Sequence, residues 1–190
     1  MTSFILREIS DSISVKEKLN QEAKSINECF ETISKKIQKR GKILVFGNGG
    51  SAADAQHLAA ELIGRFQINR DPIPAIALTT NSSNLTAISN DYSFEDVFSR
   101  QVKGLATKDD VVIGISTSGT SPNVLNGLKA AKQIGSLTIA LTGKGGKKLK
   151  NKVDFCIMVP SNDTQRIQEC HILLIHMLCG ILETSLEKNK

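Results

Sequence analysis

The chain has 190 residues, 40% of them hydrophobic and 23% charged, with a net charge of +5 and a pI near 9.0. This composition excludes a mostly disordered chain and supplies enough apolar material for one domain with a sizeable core. The positive excess suits an anionic ligand, but much of it lies in two runs, 35–42 and 144–152, that read as solvated surface.

Residues 3–39 read as one long amphipathic helix, with Ile9, Ile13, Leu19, Ile26, Phe30, Ile33 and Ile37 recurring by roughly threes, fours and sevens. Such a helix ahead of the first strand suits packing against another subunit. The domain expectation is therefore a single unit, 1–190, with an N-terminal oligomerisation helix over 1–40 and an α/β core over 41–190. Phe4-Ile5-Leu6 is too short for a secretory signal, and no run approaches the ~18 consecutive apolar residues of a membrane span. A cytoplasmic protein with no membrane partner is expected. Cys29, Cys156, Cys170 and Cys179 show neither CxxC nor zinc-ribbon spacing, and three of them sit in apolar contexts and read as small core residues of a reducing compartment.

After Gly41 the pattern changes. Short apolar runs at Ile43–Phe46, Ala75–Leu78, Val111–Ile115, Leu137–Leu141 and Phe155–Val159 do not alternate, which is how strands buried on both faces read. Helical stretches near 52–65, 83–105 and 121–134 lie between them. Strand alternating with helix predicts a doubly wound, five-stranded parallel sheet. A last helix, from Asp163 to about Lys188, has an almost wholly apolar centre at Ile172–Cys179 and is expected to be buried, within the subunit or between subunits.

Ligands in such sheets bind where loops leave the carboxyl ends of strands. The first such loop is Gly47-Asn48-Gly49-Gly50-Ser51, running from strand directly into helix. Its glycines allow close approach of backbone to ligand. It loosely fits a dinucleotide fingerprint, but strand two ends in Leu78-Thr79-Thr80-Asn81 with no carboxylate for the ribose, so no nucleotide is expected. Taken alone, the loop could also be a tight turn and nothing more. The loop after strand three, Ser116-Thr117-Ser118-Gly119-Thr120-Ser121, carries five hydroxyls before a helix starting near Pro122. Capping needs one hydroxyl, with Ser121 the natural N-cap; five make a cradle for phosphate.

His57 and Glu61 are four residues apart on the helix after the first loop, about 40° apart on its surface. Alone, such a pair is more often an exposed polar face than a metal or acid–base site. The last helix carries Gln168, Glu169, His171 and His176. Spacing nominates Gln168 with His171, whereas Gln168 and His176 are ~12 Å apart along the axis. A lone His in an apolar run is more often a satisfied core residue.

Taken together these segments resemble the phosphoheptose isomerase branch of the sugar isomerase (SIS) superfamily. The likeness runs in order through residues 47–51, His57-Leu58-Ala59-Ala60-Glu61-Leu62, Asn90-Asp91, residues 116–121, Leu141-Thr142-Gly143-Lys144 and Arg166-Ile167-Gln168-Glu169-Cys170-His171…His176. The resemblance implies a flavodoxin-like SIS fold and isomerisation of sedoheptulose 7-phosphate to D-glycero-D-manno-heptose 7-phosphate, feeding lipopolysaccharide or capsule. It implies Glu61 as catalytic base and His176 as partner acid. It implies Asn48, Gly49, Gly50, Ser51, Glu61, Asn90, Asp91, Ser116, Thr117, Ser118, Ser121 and Gln168 around the sugar phosphate. It further implies one zinc per subunit on His57, Glu61, Gln168 and His176, and a homotetramer without nucleic-acid partners. A rival is a binding protein resembling the DnaA initiator-associating protein; as the resemblance goes, that relative lacks the residues standing here at Glu61 and His176. A sugar-phosphate-sensing domain is a second rival, but no DNA-reading segment is evident.

Overall fold

The computed structural model describes residues 1–187. The five apolar runs form one parallel sheet of β1 (Ile43–Gly47), β2 (Ala75–Ala77), β3 (Val111–Ser116), β4 (Leu137–Thr142) and β5 (Phe155–Met158). Their order is β2-β1-β3-β4-β5. Every residue of β1 and β3 is buried, which accounts for the lack of alternation in those runs. Register is continuous across the centre: Ile43 pairs with Ala75 on one side and Val111 on the other.

Seven α-helices are present among the described residues: α1 (Thr2–Lys18), α2 (Ala23–Gln38), α3 (Gly50–Ile63), α4 (Ser82–Asp91), α5 (Val97–Leu105), α6 (Pro122–Ile134) and α7 (Thr164–Glu187). On one face of the sheet, Ile43, Val45, Ile113 and Ile139 pack against α2, α3 and α7. On the other, Leu44, Phe46, Val112 and Ala140 pack against α5 and α6. Lys188, the expected end of the last helix, lies outside the described residues.

Two expected helices are interrupted. The N-terminal one tightens into a 3₁₀ turn at Leu19–Glu22, which brings Leu19 into the core. The expected 83–105 helix breaks after Asp91, where Tyr92 and Ser93 leave the helical region. There the Ser93 hydroxyl donates to Asp96 at 2.9 Å and starts the chain towards α5. Cys29, Cys170 and Cys179 are buried and Cys156 half-buried, all unpaired.

α1 has no buried residue. Polar contacts hold it to α7: the Arg166 guanidinium donates to the Glu8 carbonyl at 2.5 Å, and the Ser12 hydroxyl to Glu169 at 2.6 Å. Its apolar side chains Phe4, Ile5, Leu6, Ile9 and Ile13 are exposed. By length and composition, Thr164–Leu186 is apolar enough to cross a membrane although it contains no unbroken apolar run of that length. Here its Arg166, His171 and Glu183 are buried, as are Leu174, Leu178 and Leu182.

Gly127 lets α6 approach the sheet: a β-carbon there would lie 2.6 Å from the Phe46 ring, which stacks on Phe98 at a centroid distance of 4.8 Å. Gly127→Val should therefore lower the unfolding free energy by about 1–3 kcal/mol in denaturant titration. An unchanged midpoint would show that the ring pair yields without cost.

Candidate active site

In a sheet of this order the chain departs in opposite directions from β1 and β3, leaving a crevice at their carboxyl ends. The two loops singled out in the sequence meet there. Asn48, just after β1, and Asn123, in the first turn of α6, exchange side-chain amide hydrogen bonds of 2.8 and 2.9 Å. Asn123 Oδ1 also accepts the Val124 N–H at 2.9 Å, so this one side chain joins both loops to the start of α6. Gly49 takes φ +57°, with open space around its α-carbon, and its carbonyl accepts the first N–H groups of α3 from Ala52 and Ala53. Ser51 is buried, its N–H bonded to the Asn48 carbonyl at 3.0 Å.

The hydroxyl loop folds on itself. Ser116 Oγ lies 3.0 Å from Ser121 Oγ and 3.5 Å from Ser118 Oγ, and accepts the Gly119 N–H at 3.2 Å. Ser118 Oγ accepts the Thr120 N–H and hydroxyl at 3.2 and 3.0 Å. Thr117 contributes its carbonyl to Gly143 N–H, tying the loop to the end of β4. Gly119 permits the turn at φ +68°, packed against Gly146 with no room for a β-carbon. Ser121 is the N-cap residue of α6, but its hydroxyl is spent on Ser116 and not on the helix. Clustered hydroxyls at the positive end of a 13-residue helix form a place for an anion.

α3 and α7 bring the titratable residues together. His57 Nε2 lies 3.0 Å from Glu61 Oε1 on its own helix and 3.3 Å from His176 Nε2 on α7. Phe66 stacks on the other side of His176, with ring centroids 5.5 Å apart. The His57 and Glu61 side chains are 42% and 26% exposed, so this cluster opens to solvent within a single chain. Gln168 lies further towards the start of α7, its amide against Gly50, where any β-carbon would collide with it. It is thus beside the first loop and not beside His57.

Within one chain the α7 centre is buried on one side: Leu174, Ile175, Leu178 and Cys179 are buried, while helix phase turns other residues outward. His176 is half-exposed and Met177 exposed, while His171 is completely buried. Neither His171 ring nitrogen has a hydrogen-bond partner, and burial pulls its pKa down to about 4; a weaker opposing effect comes from the nearby Thr142 backbone, which falls short of hydrogen-bond geometry. His171 is a neutral core residue, so the spacing that nominated it with Gln168 misleads. Asn90 and Asp91 are exposed at the end of α4 and bond to each other at 2.9 Å, not to either loop.

Three residues here went unnoticed in the sequence. Asn123 carried no signal beyond following Ser-Pro. Phe66 lies past the end of α3, where periodicity gives no guidance. Asp54, one turn before His57, has a buried Oδ2 without a hydrogen-bond partner. Burial raises its pKa to about 6, against a lowering by His57.

Two imidazole nitrogens and a carboxylate oxygen are zinc donors by type, and the 3.3 Å between the Nε2 atoms is near the ~3.4 Å expected between two ligands of a tetrahedral zinc. Taken as a set they do not close around one point: among the described residues no group of three or more His, Cys, Asp or Glu is arranged to hold a metal ion. Cavities of about 690 and 640 Å³ lie elsewhere, one beside Arg40 and Arg70 and one between α6 and Lys152. Neither is lined by the loops or the His57 cluster, whose chemistry outweighs cavity size in locating the site.

The structure therefore carries a hydroxyl-lined loop at the β1–β3 crevice and a carboxylate–imidazole cluster where α3 meets α7. Residues 9–143 match the SIS domain family, which fixes the class as a sugar isomerase domain. A phosphoheptose isomerase of Trichlorobacter lovleyi is 49% identical over 187 residues, covering 98% of this chain and 95% of its own. The solved phosphoheptose isomerase GmhA of Neisseria gonorrhoeae superposes with a TM-score of 0.90 at 42% identity, covering 96% of this chain and 98% of its own. That of Francisella tularensis does so at 0.92 and 36% identity, covering 97% and 100%. The chain belongs to the phosphoheptose isomerase family.

The Asn48–Asn123 pair gives a direct test of how the crevice is held. Asn48→Asp would set two oxygens against each other where an amide N–H now donates, and should cost about 1–3 kcal/mol. Thermal unfolding reads this, and an unchanged midpoint would mean the two loops are held by other contacts.

Proposed function

We propose that the chain interconverts sedoheptulose 7-phosphate and D-glycero-D-manno-heptose 7-phosphate through a cis-enediol. The observation that carries this reading is the meeting of α3 and α7 at His57, with Glu61 on one side and His176 on the other. Family membership supports it, and the relatives' names give no support to the non-catalytic alternative.

In this reading the phosphate docks at Ser116, Thr117, Ser118 and Ser121, whose hydroxyls turn from one another to the anion. Asn48, Gly49, Gly50, Ser51 and Gln168 hold the sugar hydroxyls, with Asn90 and Asp91 completing the set. His57 is seven residues beyond Gly50, about 10 Å of helix rise. That span suits a long sugar phosphate lying along α3 with its carbonyl end at Glu61. Glu61 takes the C1 proton as the C2 oxygen gains one, giving the enediol. Return of a proton to C2 and loss of one from the C1 hydroxyl completes the aldose, with His176 the acid at this second carbon. We also propose one zinc per subunit on His57, Glu61, Gln168 and His176; because Gln168 stands at Gly50 and the cluster does not close around one point as it stands, these side chains would have to draw together to hold the ion, which would polarise the carbonyl when bound.

The finer setting is proposed on the same footing: a homotetramer in the cytoplasm supplying heptose to lipopolysaccharide or capsule. The outward apolar side of α1 supports association over the 1–40 region. The openness of His57 and Glu61 supports a neighbouring subunit covering the site.

Glu61→Gln should reduce turnover of sedoheptulose 7-phosphate by at least ~10²-fold, with aldose formation followed by NMR, while the melting temperature is kept. Wild-type turnover in that variant would remove Glu61 as the base. Treatment with a chelator should abolish turnover and added zinc restore it; full activity of metal-free protein would remove zinc from the reaction.

A further inference from the structure

Past the end of α3 the chain runs from Arg65 to Pro74 without helix or strand, yet this segment is firmly held. Glu183 of α7, its side chain 3% exposed, accepts four hydrogen bonds from it. Glu183 Oε1 takes the Phe66 N–H at 2.9 Å and Arg70 Nε at 3.1 Å; Oε2 takes the N–H groups of Gln67 and Ile68 at 2.9 and 3.2 Å. Arg70, whose side chain is 5% exposed, also donates three hydrogen bonds to backbone. Nη1 reaches the carbonyls of Leu62 and Asp71 at 2.8 and 3.0 Å, and Nη2 reaches the carbonyl of Glu61 itself at 2.8 Å. Burial works to raise the Glu183 pKa, but the three backbone N–H groups and the Arg70 charge outweigh it and hold the carboxyl below its ordinary value.

We infer that Arg70 and Glu183 are positioning residues that set the distance between the proposed base and acid. This rests on the reading of Glu61 and His176 given above. One end of the ion pair holds the last turn of α3 at the backbone of Glu61. The other end fixes the Phe66 N–H, and the Phe66 ring lies against the imidazole of His176. A single buried pair therefore touches the supports of both groups from the side away from substrate. No donor of Arg70 and no oxygen of Glu183 faces the phosphate loops, so the pair governs the chemical step and not phosphate capture.

The test uses the full chain. Arg70→Lys keeps the charge but loses the planar fork that reaches three carbonyls and the carboxylate at once. Glu183→Gln keeps the volume but loses one acceptor and the charge. Phe66→Leu leaves the backbone bonds to Glu183 and removes the ring. Each is assayed with sedoheptulose 7-phosphate well below its own unfolding temperature, and the His176 ring resonances are recorded by NMR. A reduction in kcat of about 10–100-fold, with KM within about threefold, and displaced His176 resonances are expected. A role in stability alone would lower the melting temperature and leave kcat per folded molecule unchanged, which overturns the inference. If Glu183→Gln does not fold, Arg70→Lys and Phe66→Leu decide it on the same criteria. Should the parent protein fail to turn over, the proposed function falls separately. The inference is then judged on His176 alone: displaced resonances support it and unmoved ones overturn it.

Discussion

The way α7 lies along α3 sets the candidate site. Gly50 faces Gln168, His57 faces His176, and Phe66, just beyond α3, is bonded to Glu183. The partner on α7 is 119 residues on from His57 and 117 on from Phe66, so the two helices run parallel and in step. An apolar seam holds that register, with Ala55, Leu58 and Leu62 on α3 and Leu174, Ile175, Leu178 and Leu182 on α7 in one buried cluster. A slip of one residue would rotate each α7 side chain by about 100° and remove His176 from His57. Parallel running also directs the positive ends of both helices to the carboxyl edge of the sheet, where the hydroxyl loop lies.

The second constraint is the crevice between β1 and β3. Backbone pairing fixes their relative height, with Gly47 opposite Ile115, so the loops that follow leave the sheet at one level. Side chains complete the join, because Asn48 and Asn123 satisfy each other and spare the crevice an unpaired buried amide. Hydroxyls bonded to hydroxyls suit a ligand loop. They can be redirected to an anion by rotation alone, with no backbone movement, whereas carboxylates there would repel a phosphate.

The sheet was legible because its central strands β1 and β3 are buried on both faces and all five strands read as short apolar runs without alternation. The two ligand loops were legible because their composition exceeds what turns and caps require. What sequence could not give is phase. His176 sits in the more apolar stretch and reads as a core residue, yet helix rotation points it towards His57 and sends His171 inward. Breaks at Leu19–Glu22 and at Tyr92 were invisible for a related reason: apolar spacing continues across them, and only the pull of Leu19 into the core or the bond from Ser93 to Asp96 decides where the helix yields. Asn123, Arg70 and Glu183 could not be found by spacing at all, since their partners are 75 and 113 residues away.

A buried ion pair is a poor device for stability alone. Removing two charges from water costs several kcal/mol per ion, and apolar residues of equal volume are often as good or better. What an apolar pair cannot do is terminate two backbone segments at once. The turn after α3 presents N–H groups at Phe66, Gln67 and Ile68, and the end of α3 presents the carbonyls of Glu61 and Leu62, the latter also taking the Ile73 N–H. Partners of the right sign satisfy these part-buried groups within the chain. A carboxylate answers the first set and a guanidinium the second, and their attraction joins the two. Leucine or methionine there would fill the space and leave four backbone groups without these partners, the N–H groups of Phe66, Gln67 and Ile68 and the carbonyl of Glu61. The charge pair is therefore explained by the irregular backbone it serves, and that backbone is irregular where Phe66 must turn back against His176.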